Sequence, residues 1–312
     1  MGGYWSAANM IFSLILLVIV DFLVLPNAQN EKVQDSVLPT FFLVLSALVH
    51  LTCVLTLIFG VNTGIVENQN LTFAAISTGL NSGLLGITSA HELIHRKEKF
   101  LKILGISNLV TCLYGHFYIE HRKGHHALVG TMADPATARK GETYYSFLLR
   151  TIPGQWLSAI KIERERLKRV GANPVFPFNF SVNIALFQTI LLLAIFIAFG
   201  SNVLYVFVIQ AMVAIFLLEY VNYIEHYGLV REKGEKVDAH HAWQSDSATS
   251  RFTLFELSRH SHHHMDAKVE FQNLESFPSG FRLPFGYYGM FYIALIPPLW
   301  FKIMNPRLIK RS

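Results

Sequence analysis

His91 and His95 stand one helical turn apart in the run His-Glu-Leu-Ile-His, so both imidazoles can face one metal from the same side of a helix. Alone, this pattern also serves zinc proteases, in which two histidines bind zinc and the glutamate is the general base. The rest of the sequence argues for something larger. Glu120-His121-Arg-Lys-Gly-His125-His126 adds three imidazoles, with His121 and His125 again at i, i+4 spacing. Arg259-His260-Ser-His262-His263-His264 adds up to four more, and Glu225-His226 adds one. A protease zinc needs only three protein ligands. The candidates His91, His95, His121, His125, His126, His226, His260, His263 and His264 are too many for one metal, so two are implied.

Imidazole ligation suits iron, copper or zinc. The two cysteines, Cys53 and Cys112, both lie in apolar stretches, which leaves no thiolate site or disulfide framework. A desolvated group of imidazolium rings would repel itself. A metal removes that cost, because it binds the neutral ring. Not every histidine qualifies: His50, inside an apolar run, reads as a packed or hydrogen-bonded side chain, and His116, His240 and His241 read as support. Glu92, Glu120 and Glu225 each adjoin a proposed ligand and are expected to orient imidazoles from behind, with direct bridging of the metals by one of these carboxylates as the alternative. Asp134, in Ala-Asp-Pro-Ala-Thr-Ala, is a weaker candidate for the same task, since an Asx turn before proline would also account for it.

The elements that must carry these residues are apolar. About half of the 312 residues are hydrophobic, more than a soluble core of this size needs, so a membrane protein is expected. A span calls for roughly 20 apolar residues. Five windows come close: residues 10–25, 40–59, 71–90, 180–200 and 203–218. The first lacks a basic leader and a small-residue cleavage site, so it is expected to remain as an anchor. With only Ser201 and Asn202 between them, the last two form a tight hairpin. Segments 91–179 and 219–284 then face one compartment, and with the tail from Lys302 they hold every Lys and Arg except Lys32. The net charge of +5 therefore reads as membrane topology with the histidines on the cytoplasmic side, not as nucleic-acid binding. Residues 103–119 are expected to be re-entrant or interfacial, because a full span there would carry His121 to the face opposite His91. Residues 285–301 contain Pro297-Pro298 and are expected at the interface. Residues 156–170 read as a solvated or headgroup-facing helix without chemistry. No repeat is evident, so residues 1–312 are expected to form a single membrane domain: an all-α, polytopic transmembrane helix bundle with a cytoplasmic histidine-rich cap.

These motifs resemble the integral-membrane alkane monooxygenases, relatives of the membrane fatty-acid desaturases and of xylene monooxygenase. The match covers the chain from about residue 10 onward. It includes Asn222-Tyr-Ile-Glu-His-Tyr-Gly228, an element that separates hydrocarbon hydroxylases from desaturases, and the tail Ile296-Pro-Pro-Leu-Trp300. Ser258 stands where the family usually has Gln, and His262 where it usually has Asp, which makes His262 a bystander candidate. The family has six spans, and this sequence begins near what resembles the second. The resemblance implies two non-haem irons held by the nine histidines, with O2 as co-substrate. It further implies terminal hydroxylation of medium-chain alkanes drawn from the bilayer. Electrons would come from rubredoxin and an NADH-dependent rubredoxin reductase, and the setting would be the inner membrane. The chain has no Gly-rich nicotinamide or flavin fingerprint of its own, consistent with separate donors. A lipid desaturase or hydroxylase is the alternative within the superfamily. A metal transporter would instead place polar ligands at bilayer depth on several spans.

Overall fold

The computed structural model describes residues 3–31, 33, 37–175, 177–232 and 234–308. Lys32, the one basic residue left out of those segments above, lies outside them, as do Met1 and Gly2. Among the described residues there is no β-strand, only two isolated bridges, Pro26 with Ser247 and Gln244 with Arg282. In chain order, the helices that matter below start with α1 (Trp5–Leu23) and α2 (Leu38–Asn62). Then come α3 (Asn70–His95), α4 (Lys99–Thr111) and α5 (residues 117–128). They continue with α6 (Tyr144–Arg169), α7 (Phe180–Phe199) and α8 (Ser201–His226). The C-terminal part carries α9 (Ala248–Thr253), α10 (His260–Met265), α11 (Tyr287–Leu295) and α12 (Pro297–Met304).

Five of these, α1, α2, α3, α7 and α8, are long and apolar enough to cross a membrane, and they coincide with the five expected windows. Leu55, Phe59 and Ile197 are among their exposed side chains, as a lipid-facing surface requires. The hairpin between α7 and α8 is tighter than expected. Ser201 already belongs to α8, and the break is Gly200 alone, whose φ of 82° would strain any side chain bearing a Cβ. The stretch expected to be re-entrant is a 13-residue helix, α4, too short to span, followed by a turn at Leu113 with φ 56°. The proline-containing C-terminal run breaks at Ile296 into the short helices α11 and α12. Residues 156–169 form the second half of α6, where Glu163 is buried and takes hydrogen bonds from Arg166 at 2.8 and 2.9 Å.

The chain divides into two compact units. The first comprises residues 1–16, 37–120 and 159–217. Its core gathers Val54, Leu57 and Val61 of α2, Ala74 and Ala75 of α3, Ile195 of α7 and Val203, Val206 and Phe207 of α8. Close approach depends on small residues: a Cβ on Gly79 would lie 2.5 Å from Val213 Cβ, and one on Gly86 would lie 2.6 Å from the His50 ring. Polar side chains inside this unit find one another. The Ser82 hydroxyl donates to Gln210 Oε1 at 2.7 Å, and Gln210 Nε2 donates to the Thr111 carbonyl at 2.7 Å. In α3 the ladder slips into a π-helical stretch at Ser82–Ile87, which rotates the following turn, where His91 and His95 lie.

The second unit comprises residues 17–36, 121–158 and 218–312. Most of it is loop and short helix, held by buried polar contacts. Asp21 accepts from the hydroxyls of Ser247 and Ser250 and from Gly289 N at 2.8 Å. Ahead of α10, Phe255 and Glu256 adopt positive φ values of 51° and 55°. The Glu256 carboxylate meets Arg251 at 2.7 Å and Arg259 at 3.3 Å, fixing the residue that immediately precedes His260.

Candidate metal centre

Within the second unit, His125, His226, His260 and His264 come together, each offering a ring nitrogen within 4.8 Å of the others, and all are buried. His226 terminates α8, His260 and His264 share one face of α10, and His125 comes from α5. Their Nε2 atoms converge: His260 to His226 at 3.2 Å and His264 to His260 at 2.9 Å. The other nitrogens face outward. His125 Nδ1 donates to Asp134 Oδ2 at 2.8 Å, and His226 Nδ1 donates to the His241 carbonyl at 3.4 Å. Each leaves Nε2 as a lone pair pointing inward. His125 Nε2 is buried without a hydrogen-bond partner among the described residues. Several converging lone pairs cannot satisfy one another with protons, whereas a divalent metal satisfies all of them, so these residues fit a metal ion.

Electrostatics agree. Burial, with the neighbouring rings adding to it, pushes His264 well below the usual imidazole range and so holds it neutral. Burial acts to raise Asp134, but His125 and the Thr137 hydroxyl outweigh it and hold the carboxyl below its ordinary value. Asp134 also accepts from Ala136 N at 3.0 Å and from Thr137 Oγ1 at 2.6 Å. The Asx turn and the support of a ring are therefore one arrangement. It is also the arrangement that fixes the His125 tautomer.

A second trio lies in the same unit. His126 Nε2 is 3.1 Å from His121 Nε2 and 3.1 Å from His263 Nε2. His121 and His125, at i, i+4, keep their ring centroids 5.5 Å apart, but the close nitrogen contact of His121 in this segment is with His126, at i, i+5. The cause is that Glu120–His125 is π-helical, so His121 meets His126 while His125 turns to the other group. In the first unit, His91 and His95 lie on one turn of α3 with ring centroids 5.5 Å apart, and Glu92 Oε1 is 3.3 Å from His91 Nδ1. Glu120 is fully buried at the head of the π segment.

The remaining histidines have other work. His262 Nδ1 accepts from Glu275 N at 2.8 Å and its ring packs on Phe277, so it holds a loop. His50 Nε2 bonds Thr111 Oγ1 at 2.8 Å. His116 is buried, which pushes it down to about 3, and it packs edge-on against Tyr114. His241 lies between Asp238 and the end of α8, and half-buried His240 sits 3.3 Å from the same aspartate. Residue spacing missed Tyr287, whose hydroxyl donates to Glu225 Oε1 at 2.6 Å. It is 61 residues from His226 in the sequence and sits in no motif, so nothing local could have pointed to it.

The model of the fatty acid desaturase family matches residues 69–295, which include all nine candidate histidines. The chain belongs to the fatty acid desaturase family. Among its curated relatives, this desaturase-family chain is 40% identical over 241 residues to an alkane 1-monooxygenase of Ectopseudomonas oleovorans, covering 75% of the chain and 60% of that protein. It is 36% identical over 292 residues to an alkane 1-monooxygenase of Pseudomonas putida, covering 91% and 72% respectively. It is also 30% identical over 323 residues to a xylene/toluene monooxygenase hydroxylase component of Pseudomonas putida, covering 98% and 84%. The chain thus spans about 60% of the length of the first relative. The resemblance read from the histidine motifs is borne out at the level of the family.

Proposed function

We propose that this protein is a membrane-bound monooxygenase that hydroxylates the terminal carbon of medium-chain alkanes to primary alcohols. The observation that carries this is the inward-facing set of imidazoles on His125, His226, His260 and His264, in a chain whose relatives bear the name alkane 1-monooxygenase. His91, His95, His121, His125, His126, His226, His260, His263 and His264 would hold two irons. When bound, these would supply the reduction of O2 and the insertion of one of its oxygen atoms into a C–H bond.

The residues of this chain do the positioning. Asp134 keeps the proton of His125 on Nδ1, and the His241 carbonyl does the same for His226, so the ligand nitrogens are aimed before metal arrives. Apolar side chains of the spans admit a lipid-dissolved hydrocarbon and exclude water from the reacting carbon. We place the histidines on the cytoplasmic side of the inner membrane, because the basic residues flank them. There they would receive electrons from rubredoxin, reduced in turn by its NADH-dependent reductase. The length and identity with the xylene/toluene relative favour a second substrate class, methyl groups on aromatic rings.

The test uses purified, detergent-solubilised protein supplied with rubredoxin, its reductase, NADH and O2, and measures bound iron and product from octane. About two irons per chain with 1-octanol is the expected outcome. Two irons without alcohol, but with benzylic alcohol from xylene, would move the substrate to aromatics. One zinc and no iron would overturn the oxygenase.

A further inference from the structure

Two carboxylates touch the group formed by His125, His226, His260 and His264, and they touch opposite sides of the rings. Asp134 meets His125 at Nδ1, the outward nitrogen, as a group that orients a ligand from behind should. Glu225 does the reverse. Its Oε2 lies 3.1 Å from His260 Nε2, the same nitrogen that meets His226 Nε2 at 3.2 Å and His264 Nε2 at 2.9 Å. Nitrogen and oxygen donors sit about 2.1 Å from a bound divalent metal. Two donors at neighbouring positions on one metal are therefore about 3 Å apart, the separation found for Glu225 Oε2, His226 Nε2 and His264 Nε2 around His260 Nε2.

We propose that Glu225 is itself a ligand, a single-oxygen carboxylate donor through Oε2 to the metal held by His125, His226, His260 and His264. The inference rests on the metal-binding part of the function proposed above and adds one carboxylate oxygen to a set of imidazole nitrogens. Four hydrogen bonds hold the carboxylate in that role. Tyr287 donates to Oε1 at 2.6 Å, which occupies that oxygen and leaves Oε2 for the metal. Tyr287 is itself fixed, its N–H donating to Ser250 Oγ at 2.8 Å and its carbonyl accepting from the Tyr220 hydroxyl. The Glu225 backbone is pinned by Trp243 N, which donates to the Glu225 carbonyl at 2.7 Å. An anionic oxygen suits iron better than copper, and it lowers the charge that the oxidised metal would otherwise leave in a buried site.

The test replaces the native metal with Co(II) in the full-length protein and follows stoichiometry, visible absorption bands and azide binding in wild type, E225A, E225Q and Y287F. If Glu225 is a ligand, E225A alters the bands of one of the two cobalts and leaves the other's unchanged. The vacated position then takes azide at a concentration at least roughly 10-fold lower than in wild type, on the scale of losses at metal sites. E225Q, of the same size, should show the same one-sided change and guards against a folding defect in E225A. Y287F keeps the carboxylate but frees Oε1, and should shift the bands of that same cobalt only. Unchanged bands in E225A or E225Q, with two cobalts bound, would overturn the assignment while leaving the metal centre intact. Failure of wild type to bind two metals would instead overturn the centre on which it rests.

Discussion

His50 in α2 and His226 at the end of α8 are both 0% exposed, so burial does not tell them apart. What differs is where their nitrogens point. His50 Nε2 has a hydroxyl partner on Thr111, and its ring fills the space left by Gly86. His226 Nε2 points instead at the equivalent nitrogen of His260, 3.2 Å away, in a group where His125 and His264 are buried with it. A buried histidine becomes a metal-site candidate when like nitrogens converge, and stays a packing residue when a hydroxyl or carbonyl answers it.

The strongest challenge to that distinction is H264A. It should release the metal of its group and lower activity by more than roughly 100-fold, since even residues behind ligands cost 10- to 100-fold. Retention of both irons would erase the contrast with His50. D134N keeps the volume but weakens the grip on His125 Nδ1, and should reduce affinity for that metal by roughly 10- to 100-fold, read from chelator competition.

A pH series on metal-free protein sharpens the packing side of the comparison. His116 is held at about 3 by burial, against 6.5 for the free side chain. Above pH 6.5 it is neutral in both folded and unfolded chains and contributes no slope. Between 6.5 and about 3 only the unfolded chain takes up the proton, so stability is lost as pH falls through that window. The melting midpoint should therefore drop below pH 6.5, less steeply in H116Q. The smallest effect is expected for H50Q, which should cost about 1 kcal/mol for its hydrogen bond to Thr111 and leave metal content unchanged. Loss of iron in H50Q would place His50 on the wrong side of the comparison.

The five spans were legible because long charge-free apolar runs have one low-energy form in a bilayer. The histidine boxes were legible because helical spacing brings i and i+4 to one face. Spacing told only part of the arrangement at His121 and His125, where a π turn adds an i+5 contact with His126 to the i+4 neighbours. A one-residue change of ladder leaves no mark in composition. Asp134 looked like a turn residue because it is one, and its bond to His125 appears only when residues 125 and 134 fold against each other.

Residue types and order alone determined the all-α chain with five apolar spans and the histidine boxes, while the family rested on the likeness of those boxes to known motifs. Hydropathy and helical periodicity are local properties, so the spans and the spacing of the boxes needed nothing else. Only the tertiary structure decided which nitrogen of each ring faces inward, that His125 parts company with His121, and that Glu225 stands on the metal side of His260 while Asp134 stands behind His125. Those are questions of direction at distances of about 3 Å, set by contacts such as Tyr287 with Glu225 between residues far apart in the chain.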